Sequence, residues 1–146
     1  MPRKPVKISR YNIGERELKA FLGPLEVDVI EAVWSSEKPL TVREVYEKLK
    51  KRKKVAYTTI MTTMDRLYDK GLLERSVERG RGGIVYVYWP RLEKNGFKKS
   101  AVQEVLNSLL ENFGEIVASY LVERISSSEQ EFKDLKQKLE KALKGG

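Results

Sequence analysis

Between Leu22 and Pro90 the apolar residues change their period, and that change limits what the chain can fold into. Three stretches repeat apolar residues every three or four positions, as helices with one buried face do, and two later stretches are dense in β-formers. The first helix is introduced by Gly23 and by Pro24, whose missing N–H costs nothing in a first turn. It carries Leu25, Val29, Ile30, Val33 and Trp34 on one face and ends near Ser35 or Ser36. The second starts at Thr41, where Thr41-Val42-Arg43-Glu44 is a capping box, places Val42, Val45, Tyr46 and Leu49 at helical spacing, and runs to about Lys51. The third spans Tyr57 to Lys70 and stops at Gly71, which suits a left-handed C-terminal position. Leu72 to Val77 and Ile84 to Trp89 then flank Glu78-Arg79-Gly80-Arg81-Gly82-Gly83, which predicts a two-stranded hairpin with a glycine-rich basic tip.

After Pro90 the pattern is helical again. Phe97, Ala101, Val102, Val105, Leu106, Leu109, Leu110 and Phe113 form a broad stripe; Gly114 interrupts it, and Ile116, Val117, Tyr120, Leu121 and Ile125 resume. The serines 126 to 128 precede a last helix, capped by Ser128 with Glu131 three residues on, that shows Phe132, Leu135, Leu139 and Leu143 along one face. Three such helices carry more apolar surface than they can hide among themselves, and a second copy is the simplest cover. Val102, Leu106, Leu109, Phe113, Val117, Leu121, Phe132, Leu135 and Leu139 are the expected dimer contacts.

Charge separates along the same lines. Residues 1–90 hold 19 Lys and Arg against 12 Asp and Glu, whereas residues 91–146 hold 10 against 9. One module that meets a polyanion and another with a different task account for the asymmetry. Residues 1–21, with Arg3, Lys4, Lys7 and Arg10, read as a basic arm, disordered when alone; 22–90 form the polyanion-binding module and 91–146 the helical one. The chain has no Cys and no His, which excludes disulfides, thiolate catalysis, imidazole bases and zinc sites of the Cys/His kind. With no GxxxxGK loop either, no enzyme, cofactor or metal is expected. No apolar run reaches the roughly 18 residues of a membrane span, so no membrane insertion and a cytoplasmic location are expected.

Three helices followed by a hairpin is the order of a winged helix-turn-helix, whose third helix enters the major groove of DNA while the wing lies beside phosphates. At 100° per residue Ile60, Met64 and Leu67 point inward. Thr58, Thr62 and Asp65 take the opposite face, with Thr59 and Arg66 at its flank and Thr63 toward the core. A Thr hydroxyl can donate or accept and its methyl can meet thymine, while Arg can bond guanine in two places. Threonines can also simply cover a solvated face, but as β-branched residues they are poor helix formers, and four within six positions suggest a use. Thr58, Thr59, Thr62 and Arg66 are therefore the base-reading candidates. Lys53 and Lys54, in the run Lys50 to Lys54, and Arg79 and Arg81 on the wing are candidates for phosphate; a solubilising loop and an ordinary exposed turn are the competing readings. Tyr57 and Met61 are open to touching DNA or to shielding the helix, and the strand face of Arg75 is open too.

The stretches Leu22-Gly23-Pro24-Leu25-Glu26, Thr41-Val42-Arg43-Glu44-Val45, Ala56 to Leu67, Lys70-Gly71-Leu72-Leu73 and Val85 to Pro90, with Trp34, resemble the penicillinase-repressor (BlaI/MecI/CopY) family from about residue 22 onward. The resemblance implies a homodimeric repressor with an N-terminal winged helix on a palindromic operator and a C-terminal three-helix dimerisation module, and it carries DNA contact to Thr58, Thr59, Thr62 and Arg66. The chain lacks the Cys-x-Cys pair of copper-responsive relatives. Around Tyr120-Leu121-Val122-Glu123 it also lacks the Asn-Phe pair cleaved in others; Asn112-Phe113 lies several residues too early. Whether an upstream signalling protease acts on it is left open. The expected function is sequence-specific repression by a homodimer on double-stranded DNA; a winged-helix adaptor for protein or RNA is the alternative.

Overall fold

The computed structural model describes residues 6–8, 10–13, 16–126 and 128–145. Arg3 and Lys4 of the expected arm, and Ser127, lie outside the described residues. The elements follow the order α1 (Pro24–Trp34), β1 (Leu40–Thr41), α2 (Val42–Lys50), α3 (Tyr57–Asp69), β2 (Leu73–Gly80), β3 (Gly83–Pro90), α4 (Lys94–Ser126) and α5 (Glu129–Gly145), with a short 3-10 helix at Glu17–Ala20 before them. Among the described residues no helix is long and apolar enough to cross a membrane. The chain divides after Val105 into two compact units.

Local signals set the helix ends. The Gly23 N–H donates to the Glu26 carboxylate at 3.0 Å ahead of α1. The Thr41 N–H donates to Glu44 at 3.0 Å while the Glu44 N–H donates to the Thr41 hydroxyl at 3.1 Å, so α2 begins with both donors satisfied. At the end of α3, Gly71 has φ 86°. Its N–H reaches the Tyr68 carbonyl at 3.1 Å and the Leu72 N–H reaches Leu67 at 2.9 Å, the paired bonds of a Schellman turn.

In the first unit α1 and α2 pack on α3 around Val29, Ile30, Val45, Leu49, Ile60, Met64 and Leu67, all essentially inaccessible to solvent. The sheet has three strands in the order β1-β3-β2, all antiparallel, not the two expected. Leu40 and Thr41 pair with Tyr88 and Val87. Two residues are too few to show a period of two, so this strand left no pattern to read. The hairpin is also longer than expected: pairing runs from Leu73↔Pro90 to Gly80↔Gly83 and leaves Arg81 and Gly82 as the turn. Glu78 and Arg79 are weak β-formers, but they lie in the exposed half of the ribbon and the ladder holds them. Gly83, at φ 114°, takes the left-handed residue of this turn.

The described part of the arm is packed. Val6, Leu18, Ala20, Phe21 and Leu22 are buried in the core, and the Tyr11 ring lies 5.6 Å from that of Phe21. The Lys7 N–H donates to the Lys70 carbonyl at 2.9 Å, satisfying an acceptor that the end of α3 leaves over. The start of α4 closes the unit: Phe97 and Ala101 are fully buried, Phe97 meets Phe21 edge-on at 6.2 Å, and the Trp34 indole donates to the Leu92 carbonyl at 2.8 Å.

The second unit, Leu106–Gly146, contains the rest of α4 and α5. The interruption expected at Gly114 falls one residue earlier, at Phe113, whose φ −135° and ψ 33° leave the helical region and kink α4 into two helical pieces. The Ser128 hydroxyl accepts the Glu131 N–H at 3.0 Å and caps α5.

The Glu44 carboxyl titrates below its ordinary value near 4.5, chiefly because the Thr41 N–H bonds the charged form and despite partial burial. A depressed folded value makes its contribution present above the unfolded pKa and lost as pH falls through the folded one. Glu44→Gln is expected to cost up to about 1 kcal/mol at neutral pH, the range of a lost cap, and to become nearly neutral as acid protonates Glu44 in the parent. Thermal melts of both proteins across the acid range check this.

Candidate nucleic-acid interface

Burying Ile60, Met64 and Leu67 turns the other side of α3 outward. Thr58, Thr59, Thr62 and Arg66 are all exposed, whereas Thr63 is 5% exposed and donates to the Thr59 carbonyl at 2.7 Å. The Thr62 hydroxyl donates to the Thr58 carbonyl at 3.0 Å. Its proton is thereby engaged, leaving oxygen lone pairs and a methyl group for whatever approaches. Among the described residues Arg66 makes no ion pair and no side-chain hydrogen bond.

Tyr57 at the start of α3 is half-buried. Its ring meets Tyr46 of α2 edge-on at 5.7 Å, and the Arg43 guanidinium lies 4.6 Å from its centre. Arg43 is thus an exposed cation at the first turn of α2, held over the entrance to α3. Reading the sequence missed it, because Arg43 appears there only as an interior letter of a capping box and nothing local announces Tyr57 as its neighbour.

On the other flank stands the wing, with Arg79 and Arg81 exposed and in no ion pair among the described residues. Arg75, whose strand face was open, turns inward. Its guanidinium sits between the rings of Tyr68 and Tyr86 at 4.0 and 4.3 Å, bonds Asp65 at 2.8 Å and reaches the Tyr88 hydroxyl at 3.4 Å. Desolvation opposes the charge there, but the Asp65 carboxylate and the Tyr88 and Tyr86 phenols more than offset it and hold the pKa above its ordinary value. Asp65, which helical spacing put on the outward face, is therefore occupied by a strut between α3 and the wing. A groove of about 470 Å³ remains between them, lined by Met61, Ile84, Val85 and Tyr86 among others.

The basic run is less free than its sequence implies. Lys53 is ion-paired to Asp28 of α1, and Lys50 pairs with Glu47 at 2.7 Å. Lys54 is exposed and in no ion pair among the described residues. Among the described residues no group of three or more Asp and Glu is placed to hold a metal ion.

Of the expected dimer contacts, Val102 belongs to the first unit and is 48% exposed. In the second unit Leu106, Leu109, Phe113, Leu121, Phe132 and Leu139 are 40–60% exposed, with Val117 and Leu135 half-buried. Contiguous exposed apolar area on this scale is uncommon on the surface of a monomer.

A family model described as penicillinase repressor matches residues 22–141. Over 52 residues the chain is 48% identical to proteins named transcriptional regulator BlaI from two strains of Mycobacterium tuberculosis, a stretch that is 36% of this chain and 38% of each of theirs. The chain therefore spans less than half the length of these curated relatives in the matched region. Among solved structures, a possible transcriptional regulator from Methanosarcina mazei Go1 is similar in fold, at 20% identity and TM-score 0.53, over 68% of this chain and 79% of that one.

Arg75→Ala should destabilise the first unit by about 2 kcal/mol, the scale of a desolvated cation between aromatic rings. Arg75→Lys should recover only part of it, since an ammonium cannot stack flat on two rings. Chemical denaturation of the three proteins measures both.

Proposed function

The chain belongs to the penicillinase repressor family, one of transcriptional repressors and not of enzymes, and on that premise we propose that it represses transcription as a homodimer bound to a palindromic operator. The observation that carries this reading is the division of α3: one face entirely buried, the other presenting Thr58, Thr59, Thr62 and Arg66 in the half of the chain that holds most of the surplus positive charge. In this reading α3 lies in the major groove. Thr62 reads a base edge through its lone pairs or its methyl, and Arg66 bonds guanine or a phosphate. Arg79 and Arg81 on the wing, Lys54 before α3 and Arg43 over Tyr57 contact the backbone on either side and set register without reading sequence. Lys53 can join them only by leaving Asp28, so it contributes less than its position in the basic run suggests.

The second unit supplies the pairing. Two winged helices tethered by a covered apolar face meet successive half-sites about 34 Å apart, and each binds far more tightly for being held beside the other. Occupied promoter DNA is then closed to polymerase.

The test starts from a duplex selected out of random sequence by the full-length chain. Affinity for that duplex should exceed affinity for a scrambled one of equal composition at physiological salt; equal affinities would sink the repressor reading. Thr62→Ala should narrow the gap by about 1 to 3 kcal/mol, the worth of one base contact, and a uniform loss on both duplexes would reassign Thr62 to backbone positioning. Leu109→Glu should leave the first unit folded, give a monomer by sedimentation and lose tight binding to the selected duplex. A dimer in that variant would move the interface elsewhere.

A further inference from the structure

Residues 6–21 precede the stretch that the family model matches, and the described ones among them, 6–8, 10–13 and 16–21, pack on the domain beside α3. We infer that this arm is a DNA-backbone contact that extends the footprint of the winged helix, with Arg10 as the residue that binds phosphate. The inference rests on the operator-binding reading above.

Several observations lead to it. The arm is anchored at both ends of the segment that carries Arg10: Val6 is 3% exposed in the core, the Lys7 N–H is bonded to the last turn of α3, and the Asn12 N–H donates to the Ala20 carbonyl at 2.8 Å. Arg10 itself is exposed and lines a surface hollow of about 580 Å³ together with Thr59, Arg66, Lys70 and the start of α1. Thr59 and Arg66 are two base-reading candidates, seven residues apart and so on one side of α3. Arg10 therefore borders the outward face of α3 on the flank away from the wing.

The electrostatics of the hollow call for an anion. An Arg10 Nη atom lies 3.0 Å from where a Cβ of residue 23 would be, so the guanidinium sits close against the backbone of Gly23. That place is beside the N-terminus of α1, itself partly positive, and near Arg66. Among the described residues Glu26 is the only acidic one lining the hollow, and both its oxygens are engaged, one by the Gly23 N–H at 3.0 Å and one by Lys70 at 2.7 Å. Among the described residues Arg10 has no carboxylate partner. Arg10, Arg66 and Lys70 thus stand against a single carboxylate, already paired with Lys70; the surplus of like charge is eased when an anion arrives, and a phosphate of the DNA strand flanking the groove occupied by α3 supplies one.

The experiment compares the full-length chain with Arg10→Ala and Arg10→Lys on the selected and the scrambled duplex, across a salt series, with thermal melts as the folding control. Expected are unchanged melting, weaker binding of Arg10→Ala to both duplexes by a similar factor, and a shallower dependence of log affinity on log salt by about 0.9 for each arm engaged. Arg10→Lys should keep the parent's slope. An unchanged slope in a normally folded Arg10→Ala overturns the arm contact while leaving the repressor reading intact. A loss confined to the selected duplex overturns it as well, by making Arg10 a base reader. If the parent chain itself does not prefer its selected duplex, the repressor reading fails, and the arm contact with it.

Discussion

Everything in the first unit is organised by the burial of one side of α3. Ile60, Met64 and Leu67 have no solvent-accessible surface, and α1, α2, the sheet and the packed arm are arranged around them. A helix of 13 residues cannot bury one side this completely without fixing its rotation. The side that carries Thr58, Thr59, Thr62 and Arg66 is then outward by necessity. The surface proposed to read DNA is thus set by the core, and a change in the core would rotate it.

Rotation alone does not fix where the flanking elements stand. That is done by a few contacts between parts distant in sequence. Arg75 holds the wing against α3 through Asp65 and two tyrosine rings, Arg43 stacks across from α2 onto Tyr57, and Lys7 bonds the carbonyl that ends α3. Of the three, Arg75 is the charged group in partly dry surroundings, where stacking and pairing are worth more than at an open surface. Arg66, Arg79, Arg81 and Arg10 are in no ion pair among the described residues, and the four border the outward face of α3 on the wing side and on the arm side.

The helices of the first unit were legible nearly to the residue, because their ends are local. A capping box at Thr41 and Glu44, a proline after Gly23 and a left-handed glycine at 71 each act within a few positions of themselves. The outward threonines were legible for the same reason, since helical spacing alone separates them from Ile60 and Met64. The hairpin tip was read too wide because Glu78 and Arg79 have poor β-propensity, a preference that a cross-strand ladder overrides. Strand β1 was missed because two residues have no period. The arm was read as free because its charges dominate its composition, while Val6, Leu18 and Phe21 are too sparse to form a stripe.

The sequence by itself determined which segments are helix or hairpin, where α1, α2 and α3 begin and end to within a residue or two, and which side of α3 faces out, because backbone capping and side-chain periodicity are properties of neighbouring residues. Only the tertiary structure decided the partners of the charges: Lys53 withdrawn onto Asp28, Arg75 turned inward, Arg43 set over a tyrosine, and Arg10 brought beside α3. A charge in sequence has only a sign, and what it meets depends on chain segments tens of residues away that the closing of the core brings next to it.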